Sequence, residues 1–403
     1  MPAPEAATRI PRVLSIPAGA PFLPTLASAL CDGHLVEGFA YGGEPLKLAS
    51  ATIFVPTRRA ARELRSAFLD AIGSETVILP RIRPLGEFSD DAAFFGDETA
   101  AFLDLPPPVP PPDRMLMLAE LVRAWKRHLG AAELGLYGEE EIVAPASTAD
   151  ALRLAGDLSE LMDQVENEEA NWAELAALAP DDLAAWWQIT LAFLTIVSVS
   201  WPKALAERGR MDPLAHRNRL IDLETARLAA APPAGPVIVA GSTGSIPATA
   251  RLIRAGAQMP QGAVGLAGLD FDLDDAAFAM LTAADRPASI HGHPQFGLAM
   301  LLQRMGIAKR DVASIGSAPA ALAARGHVVS EALRPAETTE AWADLRREPS
   351  IGALNDVAIL EAGNEREEAL AIAIALREAI REPGRAAALV TPAAAQDRMT
   401  WKV

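Results

Sequence analysis

An α/β protein built on a parallel sheet is what the sequence predicts, on three observations. Short β-branched and aliphatic runs recur at 13–16, 51–55, 76–79, 237–240, 357–361 and 386–390, with a further one in GAVGLAGLD at 262–270. Runs this short and this apolar suit strands buried on both faces. Stretches of helical spacing separate them, and strands that alternate with helices imply parallel crossovers. Half of the 403 residues are hydrophobic and only 2 are Tyr, a balance that favours a helix-rich globular chain over an all-β or disordered one.

The first strand, 13–16, is followed by PAGAPFLP and a helix that begins at Thr25. In a RecA-like domain this is the place of the phosphate-binding loop. That chemistry needs G-x-x-x-x-G-K-[ST], because the lysine reaches the terminal phosphates and the hydroxyl holds magnesium. Residues 18–25 read AGAPFLPT, with one glycine and no lysine. Pro17, Pro21 and Pro24 remove backbone donors where a cradle needs them. Gly19 and Thr25 therefore mark a nucleotide position that has lost its cradle.

The second unit, ATIFVPTRRAARELRSAFLD at 51–70, carries the strongest signal. Pro56 ends the strand, and 58–68 show helical spacing. Thr57, Arg58 and Arg59 fall at the helix N-terminus, where free backbone N–H groups, the helix dipole, a hydroxyl and two guanidinium groups converge on one place suited to a phosphate. Arg62 and Arg65 follow on the helix, with Arg81 and Arg83 close behind. The net charge of −16 argues against global attraction to nucleic acid, but a local basic groove depends on distribution as well as sum. The plain alternative is an ordinary βα turn with a solvated basic helix.

Consecutive prolines in LPPPVPPPD, 105–113, predict a stiff linker and a boundary. From there to about 230 the pattern is helical, with Asp181 and Asp212 as N-caps and an apolar stripe at Met115, Leu118, Leu121, Val122 and Trp125. Trp125, Trp172, Trp186, Trp187 and Trp201 all fall in this insertion. Tryptophans at helical spacing fill a core more often than they stack on bases. The sheet resumes at 237–240 and leads to a loop of small residues, 241–247, which contains Ser242 and Thr243. A helix begins near Ala248.

Remaining candidates read as structural. DFDLDD at 270–275 lacks the glycine and distant glutamate of a calcium loop, so a solvated acidic turn is expected. His291 and His293 have no further ligand at metal spacing, which favours a loop anchored by Pro294 and Phe296. The single cysteine, Cys31, excludes an internal disulfide and reads as a buried thiol. The N-terminus has no signal-peptide pattern, and the most apolar run, LAFLTIVSVS at 191–200, is too short for a bilayer and reads as core. No membrane association and a cytoplasmic location are the expectations. Near the C-terminus a strand at 357–361, a helix at 365–381 and a strand at 386–390 open a new βαβ unit that is not completed, as in the N-terminal part of a longer protein. The division expected is 1–104 and 231–345 for one domain, 105–230 for its helical insertion, and 346–403 for the start of a second.

The strand and helix at 51–70 resemble motif Ia of superfamily one helicases, T-x-x-A-A-x-E-[LM], with Thr57, Ala60, Ala61, Glu63 and Leu64 in register. The tail, EREEALAIA followed by AALVTP, is similar to the stretch that opens their second motor domain. IPAGAPFLPTLASAL, LPRIRPLGEF, VAGSTGSIPATARLIRA, HGHPQFG and ALRPAETTE together resemble the AddB subunit of AddAB helicase-nucleases of the alphaproteobacterial type. The resemblance implies a RecA-like, superfamily one helicase-like domain with a large helical insertion. It further implies a role in double-strand break repair, with DNA and an AddA-like helicase-nuclease subunit as partners. ATP and Mg belong to that complex, and a 4Fe-4S cluster and nuclease to a C-terminal region outside these residues. No cofactor is expected on the residues present. Thr57, Arg58, Arg59, Arg62, Ser242 and Thr243 would contact DNA, while Gly19 and Thr25 keep only the place of the phosphate loop. Two other readings stand beside this one: an atypical ATPase that still uses Gly19 and Thr25, and a scaffold that docks a partner through apolar helix faces.

Overall fold

The computed structural model describes residues 11–73, 77–85, 105–128, 147–175, 190–191, 193–345 and 352–391. Among these, strands β1 (Val13–Ile16), β2 (Thr52–Val55), β3 (Arg81–Pro84), β4 (Val237–Ala240), β5 (Gly262–Ala267) and β6 (Ala313–Ser314) form one six-stranded sheet in the order β3-β2-β4-β5-β1-β6. Every pairing is parallel. The expected RecA-like α/β class is therefore what the chain forms. β1, β2 and β4, and β5 up to its last residue, are buried on both faces, so that each need carry only a few apolar residues per face.

Alternation along the strands divides the core into two layers. Leu14, Ile16, Ile53, Val55 and Ile238 face helices α1 (Phe22–Cys31) and α3 (Arg58–Ile72), with α2 (Pro45–Ala49) beside them. Val13, Phe54, Val237, Val239 and Val264 face the other layer, which includes the helices Pro213–Ala230, Pro247–Gln258 and Phe296–Met305. Phe54, Phe68, Leu26 and Ile238 are among the largest fully buried side chains, each worth about 1.5–3 kcal/mol relative to exposure. Buried Ser15 accepts a hydrogen bond from the Leu269 N–H at 3.1 Å, which ties the loop after β5 to β1.

Several local expectations are corrected. α1 begins at Phe22 rather than Thr25 and takes Pro24 into its first turn, where a missing N–H costs nothing. The third strand lies at 81–84 instead of 76–79: the ladder to β2 starts with Arg81 N–H donating to Ala51 O at 2.9 Å, directly after Pro80, which has no N–H to give. Two of the consecutive prolines do not form a linker either. Pro111 and Pro112 open the helix Pro111–His128, and across the base of the insertion Val109 N–H donates to Met211 O at 3.0 Å while Met211 N–H donates to Pro107 O at 3.1 Å. The edge strand β6 has only two residues, too few for its sequence to announce it.

The insertion has its own core of Leu118, Val122, Ala155, Leu158, Met162 and Trp201, with Trp125 and Trp172 packed against it. Trp125 meets Phe193 edge to face at 4.9 Å, and Trp201 Nε1 donates to Asp212 at 3.3 Å. These three tryptophans pack as expected of core residues; Trp186, Trp187 and Asp181 lie outside the described residues. Asp212 caps its helix, accepting from Leu214 N–H at 3.0 Å. Of segment 191–200, the described residues 191 and 193–200 range from buried to exposed and end in a π-turn, Ile196–Ser200.

The chain divides into two compact units, Met1–Ser350 and Ile351–Val403. In the second, the helix Glu365–Ala379 forms with Asn364 as its N-cap. The flanking strands expected at 357–361 and 386–390 do not form among the described residues: Ile359 and Val390 are each 91% exposed. A strand with no neighbour has no partner for its backbone groups. No helix among the described residues is long and apolar enough to cross a membrane.

Candidate nucleic-acid interface

The carboxyl ends of β1, β2 and β4 bring the predicted site residues to one edge of the sheet, the edge where open parallel sheets bind ligands. Gly241 is the junction. Its φ of +76° is a conformation that side chains rarely adopt, and a Cβ there would stand 3.1 Å from Phe22 Cε1 and 3.5 Å from Pro56 Cδ. Phe22 opens α1 after the loop that carries Gly19, and Pro56 precedes the Thr-Arg-Arg turn. One glycine thus lets three strand-end loops close on one another.

Thr57 sits in extended backbone as the N-cap of α3, and its Oγ1 accepts from Ala60 N–H at 3.1 Å. The hydroxyl oxygen thus starts the helix as an acceptor and keeps its O–H as a donor. Thr57→Ala is expected to cost about 1 kcal/mol of stability, and Thr57→Ser far less; urea denaturation of the two variants checks this. α3 buries Ala61, Leu64, Ala67 and Phe68 and presents Arg58, Arg59, Arg62 and Arg65 to solvent. Arg59 Nε donates to Glu63 at 2.9 Å across one helical turn. That hydrogen bond, then the Glu63 charge, raises the Arg59 pKa above its ordinary value.

In the loop after β4, Ser242 Oγ accepts from Gly244 N–H at 3.2 Å, and Arg304 donates to Gly244 O at 3.4 Å. Thr243 is exposed and lies against Gly297, where a Cβ would come within 3.3 Å of Thr243 Cβ. Ser242 and Thr243 therefore stand on a fixed loop beside the Thr-Arg-Arg turn. Arg83 does not join the basic surface. It reaches inward to the fully buried Glu224 at 3.1 Å, which Arg227 also grips at 2.7 Å. Arg81 is exposed.

The nucleotide position fares differently. At Gly19, with φ +87°, a Cβ would lie 2.9 Å from Leu322 Cβ and 3.4 Å from Ala318 Cβ; at Gly316 it would lie 2.7 Å from Thr25 Cγ2. Segment 316–322 of the chain itself lies against both residues that mark the degenerate loop. Gly241 and Ser242 follow β4 directly, and neither is a carboxylate that could hold magnesium. The residues present do not fit a nucleotide with its metal. Neither sequence spacing nor motif signalled this covering segment; the φ-positive demand on Gly19 was its only local trace.

Other candidates resolve into structural roles. Asp270 Oδ1 accepts from Asp272 and Leu273 N–H at 2.9 and 3.0 Å, and Asp274 caps the helix Asp275–Met280 while pairing with Arg334. His293 Nδ1 accepts from Gln295 N–H at 3.1 Å, which leaves the proton on Nε2 to donate to Leu333 O at 2.9 Å. His291 stacks near Phe296 at 4.8 Å. Cys31 is half-buried; burial, then the Asp32 charge, pushes its thiol up to about 11, so it is protonated at neutral pH.

The geometry defines an α/β domain on an all-parallel sheet, one strand-end edge of which exposes Arg58, Arg59 and Arg62. Neither a protein-family model nor a curated protein matches the chain.

Proposed function

We propose that this chain binds and guides DNA as the helicase-like part of an AddB-like subunit, in a cytoplasmic double-strand break repair complex with an AddA-like partner, and hydrolyses no ATP of its own. The observation that carries the reading is the juxtaposition of exposed Arg58, Arg59 and Arg62 with the Ser242–Thr243 loop at one strand-end edge. Phosphates of a single strand crossing that edge would meet guanidinium groups on α3 and the small-residue loop beside it, while the closed loop at Gly19 and Thr25 excludes nucleotide. The hydroxyl of Thr57 serves by starting α3, so that Arg58 and Arg59 project from a rigid first turn.

The test is single-stranded DNA binding by the full chain over a salt series, wild type beside Arg58→Ala/Arg59→Ala. Three phosphate contacts predict a log-log salt slope of magnitude about 2, and losing two of them lowers it by about 1.4. Salt-dependent binding that the double variant retains in full sinks the DNA reading and leaves partner docking as the role of this face. A nucleotide-dependent rise in thermal stability would instead support the atypical ATPase.

A further inference from the structure

Away from the sheet edge, the helical insertion holds a cavity of about 960 Å³, a size that accommodates a small organic molecule. Met162, Trp172, Leu191, Leu194, Trp201 and Leu205 supply its apolar walls. The floor is fixed by the backbone hydrogen bonds of Met211 to Pro107 and Val109, at 3.1 and 3.0 Å. One wall is the π-turn Ile196–Ser200, which contributes Val197 and Ser198. A π-turn is a rare backbone state that recurs at functional sites.

Most polar groups on the lining are committed elsewhere. Asp212 accepts from Arg114 Nε at 3.1 Å, Trp201 Nε1 at 3.3 Å and Leu214 N–H at 3.0 Å. Ser198 Oγ donates to Leu194 O at 3.2 Å, and Arg210 reaches Pro108 O at 3.5 Å. Glu166 is different: its Oε1 accepts a long 3.3 Å hydrogen bond from Asn218 Nδ2, and a carboxylate has acceptor capacity well beyond that. Burial, the first cause, and the charges of Asp212 and Glu169 raise its pKa above the ordinary value, while the Asn218 hydrogen bond and Arg217 oppose them. Arg217 is itself engaged by Asn167 at 2.8 Å and Asn218 at 3.0 Å.

We infer that this cavity binds a small apolar amine, with the ammonium group on Glu166 and the hydrocarbon body against Trp172, Leu194 and Leu205. An apolar chamber with one under-used carboxylate and acidic neighbours selects a cation with a greasy body. It disfavours an anion, so the site is distinct in chemistry from the polyanion surface at the strand ends. A charge-assisted hydrogen bond to a half-buried carboxylate supplies the preference, and the apolar walls supply the rest of the affinity.

Three probes of one shape separate charge from shape: 2-phenylethylamine, 2-phenylethanol and phenylacetate, titrated into the full chain by calorimetry with tryptophan fluorescence as a second readout. The amine is expected to bind saturably and at least about tenfold more tightly than either analogue. Glu166→Gln keeps the shape and the Asn218 contact, and is expected to erase that preference. Ala206→Trp fills the mouth from an exposed lining position and is expected to abolish binding while circular dichroism stays unchanged. Absence of saturable amine binding by the folded wild type overturns the inference. So does binding that survives Ala206→Trp, or a preference that survives Glu166→Gln.

Discussion

Arg83→Ala is expected to destabilise the protein by about 3 kcal/mol, because it strips a partner from a carboxylate that has no access to water. Glu224 is 0% exposed; Arg83 reaches it from β3 at 3.1 Å and Arg227 from the same helix at 2.7 Å. Burial lowers the Arg83 pKa from its ordinary value and the Glu224 charge opposes that, which is the signature of a cation drawn inward by its partner. The double variant Arg83→Met/Glu224→Gln is expected to recover most of the loss, since it removes the charge whose solvation is missing. Urea denaturation curves for both variants decide the matter. A loss under about 1 kcal/mol in Arg83→Ala would mean that Arg227 alone satisfies the carboxylate.

This pair also marks a limit of sequence reading. Arg83 stands 18 residues beyond Arg65 in a stretch rich in arginine, and by composition it belongs to the same basic surface. Its partner lies 141 positions away, across the whole insertion, and no local pattern announces so distant a carboxylate. The cations on α3 were legible for the opposite reason: Ala61, Leu64, Ala67 and Phe68 fix the buried stripe, so the arginines between them can only face out.

The same division runs through the fold. β1, β2, β4 and β5 were legible because a strand buried on both faces must be continuously apolar, and the glycine or proline after each one ends it. β3 carries two arginines in four residues, Arg81 and Arg83, and its apolar neighbours Val77 and Leu79 drew the expected strand upstream. β6 is two exposed residues on a sheet edge, and its pairing to β1 is decided by topology alone. At the site, the Thr-Arg-Arg turn was readable from capping chemistry. The closure of the degenerate loop by Leu322 was not, because a contact between residues 19 and 322 leaves no periodic trace in either segment.

Two glycines of one strand provide the sharpest test of the packing that holds the strand ends in place. At Gly262, where β5 begins, a Cβ would stand 1.9 Å from Gly256 O and 3.0 Å from Met259 Cβ. The nearest atom is backbone, held in the last turn of the helix Pro247–Gln258, so nothing flexible can yield. At Gly265, three residues along the same strand, a Cβ would meet Leu26 Cδ1 at 3.3 Å and Ala240 Cβ at 3.4 Å. There the closest atom is the tip of a leucine, which can shift by a few tenths of an ångström. Gly262→Ala is therefore expected to cost more than about 3 kcal/mol, and Gly265→Ala no more than about 1.5 kcal/mol. Equal denaturation midpoints for the two would show that the turn from Gly256 into β5 moves freely. That turn sets where β5 enters the sheet beside β4. Freedom there would pass along the β4–β5 ladder to Gly241, and so to the convergence of Phe22, Pro56 and the Thr-Arg-Arg turn on which the proposed DNA surface rests.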